Sequence, residues 1–128
     1  MFENFVFIGP YAKVSFEGGG GTILLAKLTL DHGDEKTKKV RVEQLPNIEK
    51  TVFIRIAGNE RVYAQGHEDT STDLATSIHK LTFDFKPNQL ADLKDVSNKV
   101  VLGIAHDMYP YELTIKDSFR ENLVRFLN

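Results

Sequence analysis

The chain has 128 residues, enough for one domain that buries its own core without covalent staples. It has no cysteine, which excludes disulfides, thiolate zinc and iron–sulfur ligation and a cysteine nucleophile, and which fits a cytoplasmic protein. Net charge is −2 and the one basic cluster, Lys36 to Lys39, follows Asp34 and Glu35, so no nucleic-acid partner is expected; nor is a membrane partner, since no apolar run nears a membrane span and the N-terminus lacks a signal-peptide pattern.

Asn4–Phe16 reads as a β-hairpin turned at Gly9-Pro10. Its first strand is apolar on both faces, Val6 and Ile8 against Phe5 and Phe7, and is expected to be buried on both. Gly18 to Gly21 follow. No Lys-Ser or Lys-Thr comes after them, as a phosphate loop needs, and an apolar strand-like run follows where a dinucleotide fold needs a helix. Glycine-rich stretches act as flexible tethers. The expectation is therefore a linker, engineered in place of an excised segment. Thr22–Leu30 alternates, with Leu24, Ala26, Leu28 and Leu30 on one face.

The segment from Asp34 to Pro46 admits two readings. Early acidic residues and later lysines suit a helix; Val40 and Val42 suit an edge strand. The helix is preferred. Thr51–Ala57 and Arg61–Gln65 flank Gly58-Asn59-Glu60 as a hairpin. Gly66–Ser77 is polar and reads as a loop. Ile78–Phe85 alternates strictly, with His79, Leu81, Phe83 and Phe85 on one face. A short helix follows, with Pro87 in its first turn. In Asn98–His106 the bulky face is Val100, Leu102, Ile104 and His106, while Gly103 and Ala105 leave the other face open to close packing. His106–Glu112 reads as a Pro-turned loop. In Asp117–Asn128, Ser118 and Glu121 have capping-box spacing, and Phe119, Leu123, Phe126 and Leu127 share a helical face. The fold class is α+β: one domain over residues 1–128, with a mainly antiparallel sheet of about six strands. Two or three helices complete it, including a C-terminal amphipathic helix packed on the sheet.

Four histidines are the main metal-ligand candidates. His32 sits in a turn and is incidental; His67 lies in a polar loop with Glu68 and Asp69. His79 and His106 each continue an apolar strand face, where a polar ring must find a partner. If their strands are antiparallel neighbours, both rings reach the same end of the sheet. If a parallel crossover joins them, they lie roughly 20 Å apart. Convergence would place His79 and His106 with a carboxylate from Glu68, Asp69 or Asp107, a set suited to iron or zinc. The alternative is two structural histidines, each hydrogen-bonded. Tyr109 and Tyr111 are the candidate cofactor-binding residues, placed to line a pocket over His106. No nucleophile motif is present.

From Ile54 onward the order of features resembles a bacterial family known as domain of unknown function 3501. The stretches carrying it are RIAGNERVYAQGHED, SIHKLTFDFKPNQLADLK, KVVLGIAHDMYPYE and the terminal amphipathic helix. Members carry a His-containing strand like VHFLRFEL, a short helix, and a strand end like GVDHPAY. His79, Phe83, His106 and Tyr109 fall on that pattern's His, Phe, His and Tyr, and Glu68 and Asp69 on its acidic pair. Lys80 and Thr82 replace an aromatic and an arginine, and Asp107-Met108 replaces the His-Pro context. At the front, FIGPYAKVSFE is similar to a stretch like LGPHVTLLFE, with the glycines standing where the family has a largely helical segment. The resemblance implies a redox or peroxide-stress association, because such genes neighbour rubrerythrin-like and iron–sulfur oxidoreductase genes.

The expected function is a non-catalytic accessory or binding protein with a metal or small-ligand site at the His79/His106 end. The alternatives are a small metal-dependent redox enzyme using that end, or an interaction module of the immunity or inhibitor kind that binds a protein partner.

Overall fold

The computed structural model describes residues 4–69 and 74–127. The elements in chain order are β1 (Phe5–Ile8), β2 (Ala12–Gly20), β3 (Ile23–Asp31), α1 (Glu35–Gln44), a 3-10 turn (Ile48–Thr51), β4 (Val52–Ile56), β5 (Val62–Tyr63), β6 (Gln65–Asp69), β7 (Thr76–Asp84), α2 (Pro87–Lys94), β8 (Val100–His106), β9 (Tyr109–Thr114) and α3 (Asp117–Arg125). The fold is α+β, and all the described strand pairs are antiparallel. The strands divide between two sheets, ordered β1-β2-β3-β7-β6 and β5-β4-β8-β9.

Both sheets feed one apolar core. Leu24, Leu28, Leu81 and Phe83 enter it from the first sheet, and Val52, Ile54, Leu102 and Ile104 from the second. Fully burying such side chains stabilises by about 1.5–3 kcal/mol each. The alternating faces expected of β3 and β7 are the faces that enter this core. Helix α3 docks through Phe119 and Leu123, and the Phe119 ring meets Phe16 of β2 edge-on, centroids 5.7 Å apart. Buried Arg120, on the same helix, donates to the Leu93 carbonyl in the last turn of α2 at 3.4 Å.

Gly103 shows why its strand face had to be small. A Cβ there would stand 2.5 Å or closer to the Phe53 ring, which fills the space from the paired position on β4. A second link ties the sheets together at Tyr109. Its hydroxyl donates to the Ile8 carbonyl at 2.6 Å and accepts from the Tyr11 and Ala12 amides at 3.1 Å each. Between those residues Gly9 turns the chain at φ +68°, where a Cβ would lie 2.5 Å from the phenol oxygen. The β1–β2 turn of one sheet is thereby clamped by β9 of the other.

The helix preferred after His32 forms, and several other expectations change. The segment after His32 is a helix: Asp34 caps it by accepting from the Thr37 amide at 2.7 Å, and Val40 and Val42 stay exposed. Local capping and charge order outweigh two β-branched residues that no sheet receives. β1 is buried on one face only; Phe7 is 70% exposed. It is an edge strand, covered on the side of Val6 and Ile8. The polar stretch from Gly66 begins as strand β6, because its backbone pairs with β7 whatever its side chains. Residues 107–112 are the turn of the β8–β9 hairpin and the start of its second strand, with His106 opposite Tyr109. The capping box at Ser118 does not form; Lys116 is the N-cap and Ser118 lies inside the helix.

The four glycines are not slack. Gly18, Gly19 and Gly20 pair with Leu25, Leu24 and Ile23 beyond a bulge at Glu17, and Gly21 at φ +60° makes the turn with Thr22. The run is the end of β2 and its hairpin turn.

Candidate functional site

Alternation along β7 puts Ser77 and His79 on the same inward face. β3 lies on one side, with Leu30 opposite Ser77 and Leu28 opposite His79. β6 lies on the other, with Glu68 opposite His79. After α1 the chain reverses at Asn47, a left-handed residue (φ 58°), and the 3-10 turn buries both Ile48 and Glu49. Glu49 can approach β6 because residue 66 is glycine: a Cβ there would lie 3.0 Å from Glu49 Cβ and 2.9 Å from the Lys80 carbonyl oxygen.

These elements enclose a small cavity of about 130 Å³. Its polar wall is His32, Asn47, Glu49, Glu68, Ser77 and His79; its apolar wall is Leu30, Val42, Leu45, Pro46 and Ile48. His79 Nδ1 stands 3.2 Å from Glu49 Oε2 but is not aligned for a hydrogen bond. His32 Nε2 and Ser77 Oγ are 2.8 Å apart, and His32 Nδ1 has no hydrogen-bond partner. His32 is 4% exposed and His79 6%.

Burial pulls the pKa of His79 down, against the opposing charges of Glu49 and Glu68. Burial also lowers that of His32, helped by Arg41 and Lys38 and opposed by Asp31. Both imidazoles are therefore neutral near pH 7. A nucleophile–base pair is suggested by Ser77 and His32, but no carboxylate holds the far nitrogen of His32, so the relay that activates a serine is incomplete. Among the described residues, no group of three or more His, Asp and Glu is arranged to hold a metal ion.

Of the expected metal ligands, His79 and Glu68 come together. Asp69 pairs through its backbone with Ile78, and its side chain lies outside the described structure. His106 does not join them. Its strand belongs to the other sheet, neither an antiparallel neighbour of β7 nor its parallel crossover. Both its nitrogens are engaged: Nε2 is 3.1 Å from the Pro46 carbonyl oxygen, and Nδ1 accepts from the Met108 amide at 3.1 Å. The two histidines meet one connecting segment, His106 at Pro46 and His79 at Glu49, from different sheets. Tyr109 is 1% exposed and its hydroxyl is saturated by the β1–β2 turn, so it serves the fold; Tyr111 is exposed and packs on Tyr109 with centroids 4.7 Å apart. Neither lines the cavity.

His67 is exposed on β6, opposite Lys80. His32, read as incidental, is a wall of the cavity. Ser77 and Glu49 were also missed. Extending the β7 alternation back by one step would have found Ser77. Glu49 gives no local signal, since its burial depends on Gly66.

The comparisons with known proteins bear on the fold and the family. A crystal structure of a novel protein of unknown function from Burkholderia pseudomallei K96243 superposes with a TM-score of 0.86 at 21% identity. The match covers 98% of this chain and 84% of that one. A search of curated proteins finds no match. The sequence model of the family described as Protein of unknown function (DUF3501) matches residues 19–127. The chain belongs to the DUF3501 family.

Proposed function

We propose that the protein is a non-catalytic binding protein whose ligand occupies the cavity between α1, the 3-10 turn and β7. One observation carries this: His32 and His79, both almost fully buried, line a single cavity with Glu49, Glu68 and Ser77, and His32 Nδ1 has no hydrogen-bond partner. An unmet buried polar group costs about 1–3 kcal/mol. A bound molecule that hydrogen-bonds to this wall offsets part of that cost, and two imidazoles, two carboxylates and a hydroxyl around one cavity suit a receptor.

The same geometry disfavours the metal-dependent enzyme. The nitrogens of His106 are engaged, and Ser77 lacks an organised relay. The test is thermal melting of the purified protein against a panel of small cations, neutral amides, carboxylates and divalent metals. A binder raises Tm with its concentration, and the cavity-filling variant Ser77→Val removes the rise. A panel that leaves the wild-type Tm unmoved overturns the reading.

A further inference from the structure

The cavity wall is unbalanced in a way that selects a ligand class. Its formal charges are both negative, Glu49 on the floor and Glu68 at the exposed mouth, and no Lys or Arg lines it. Arg41 and Lys38 act on His32 through space without lining the cavity, and the Arg41 guanidinium lies 3.7 Å from the Tyr11 ring centroid.

The imidazoles add neutral polar groups. Neutral His32 has one N–H. Placed on Nε2 it donates to Ser77 Oγ and leaves Nδ1 as a bare acceptor; placed on Nδ1 it leaves Nε2 to accept from the Ser77 hydroxyl and Nδ1 as a bare donor. For His79, a proton on Nδ1 faces the Glu49 carboxylate and leaves Nε2 as an acceptor. The wall thus carries two carboxylates and no cation, beside the neutral polar groups of Asn47, Ser77 and the two imidazoles. Opposite it stand Leu30, Val42, Leu45 and Ile48, which suit a short alkyl group.

We propose that this cavity binds a small protonated alkylamine, its ammonium directed to Glu49 and Glu68 and its alkyl stem to the leucine and isoleucine wall. This rests on the binding reading above. A space of about 130 Å³ with one exposed mouth suits a ligand of a few non-hydrogen atoms. An amine fits better than a metal ion for two reasons. No three donors are arranged for direct coordination among the described residues, and half the wall is hydrocarbon.

The test is calorimetric titration of the whole chain with ethylammonium, with propionate and acetamide as anionic and neutral probes of similar size, and with Zn²⁺. Ethylammonium is expected to saturate one site, with propionate, acetamide and Zn²⁺ at least tenfold weaker. Glu49→Gln should weaken ethylammonium at least tenfold. Glu68→Gln, at the exposed mouth where folding is not at risk, should weaken it less but measurably. Propionate, acetamide or Zn²⁺ binding as tightly as ethylammonium at this site overturns the amine and leaves the binding protein standing. If none of the four binds, both readings fall. Ethylammonium binding that neither variant weakens also overturns the amine site.

Discussion

The side chains of His79 and Glu49 stand 3.2 Å apart inside the protein, one from a β-strand and the other from a 3-10 turn that reaches it past Gly66. Burial lowers the pKa of the imidazole and the carboxylate opposes that. Removing the negative charge therefore has a definite sign. In Glu49→Gln the His79 titration midpoint should move further down, because burial then acts with less opposition. The measurement is the histidine ring nitrogen shift against pH by NMR. A midpoint that stays put or rises would mean that the carboxylate does not act on the ring. The expected cost in stability at pH 7.5 is about 1 kcal/mol, the order of one hydrogen-bond-scale contact.

The two buried imidazoles also set a pH dependence. Both His32 and His79 have folded-state pKa values below the ordinary 6.5. As pH falls below that value the unfolded chain takes up protons first, so unfolding gains and stability declines. The full contribution is present above about pH 7 and is lost progressively below 6.5 until the folded pKa values are passed. Each histidine contributes a slope of at most about 1.4 kcal/mol per pH unit. Urea denaturation at pH 7.5, 6.5 and 5.5, above the main carboxylate range, should show the decline. His32→Gln and His79→Gln should each flatten it. Equal wild-type stability at the three pH values would contradict this.

Where pattern and burial coincide, the fold was legible. Alternation, late in β3 and strict in β7, reports a strand with one buried face, and Leu24, Leu28, Leu81 and Phe83 are in the core. The division into two sheets was not legible, because pairing such as Ile54 with Leu102 joins residues far apart in the chain and leaves no local trace. β6 escaped because an edge strand of polar residues, Gln65 and His67 to Asp69, is held by its backbone. The candidate site was half legible. His79 and His106 carry the same sign, a histidine continuing an apolar face, yet they end differently. His79 is mid-strand and enclosed; His106 closes its strand, where the Pro46 carbonyl and the Met108 amide satisfy it. Glu49 could not be read at all, since a distant glycine makes the room it needs.

The Tyr109 clamp should dominate mutational sensitivity away from the cavity. Tyr109→Phe keeps the ring and strips one carbonyl and two amides of their partner. Each buried group left unmet costs about 1–3 kcal/mol, and partial relaxation brings the expected total to about 2–4 kcal/mol. Gly9→Ala should destabilise too, since its Cβ would press on the Tyr109 and Tyr111 rings at 2.5–2.8 Å in a left-handed conformation. Tyr111→Phe should be near neutral. Chemical denaturation ranks the three. If Tyr109→Phe proves as mild as Tyr111→Phe, the hydroxyl does not hold the two sheets together.

The glycine run offers the sharpest contrast between a tether and a strand end. A slack tether would accept alanine equally at each position. The structure sets the positions apart. At Gly19 a Cβ would run into the Ile23 carbonyl across the hairpin, and Gly21 turns the chain at φ +60°. Gly20 has open space and no positive φ. Gly20→Ala should therefore be neutral, or stabilising by about 0.4–1 kcal/mol through the unfolded chain, and Gly21→Ala should cost about 1 kcal/mol. Gly19→Ala should cost more than either, because the obstructing atom is backbone and cannot swing aside. Equal melting temperatures for the three alanine variants would show that the run behaves as a tether after all, and that the pairing of Gly18 to Gly20 with Leu25, Leu24 and Ile23 contributes nothing to the fold.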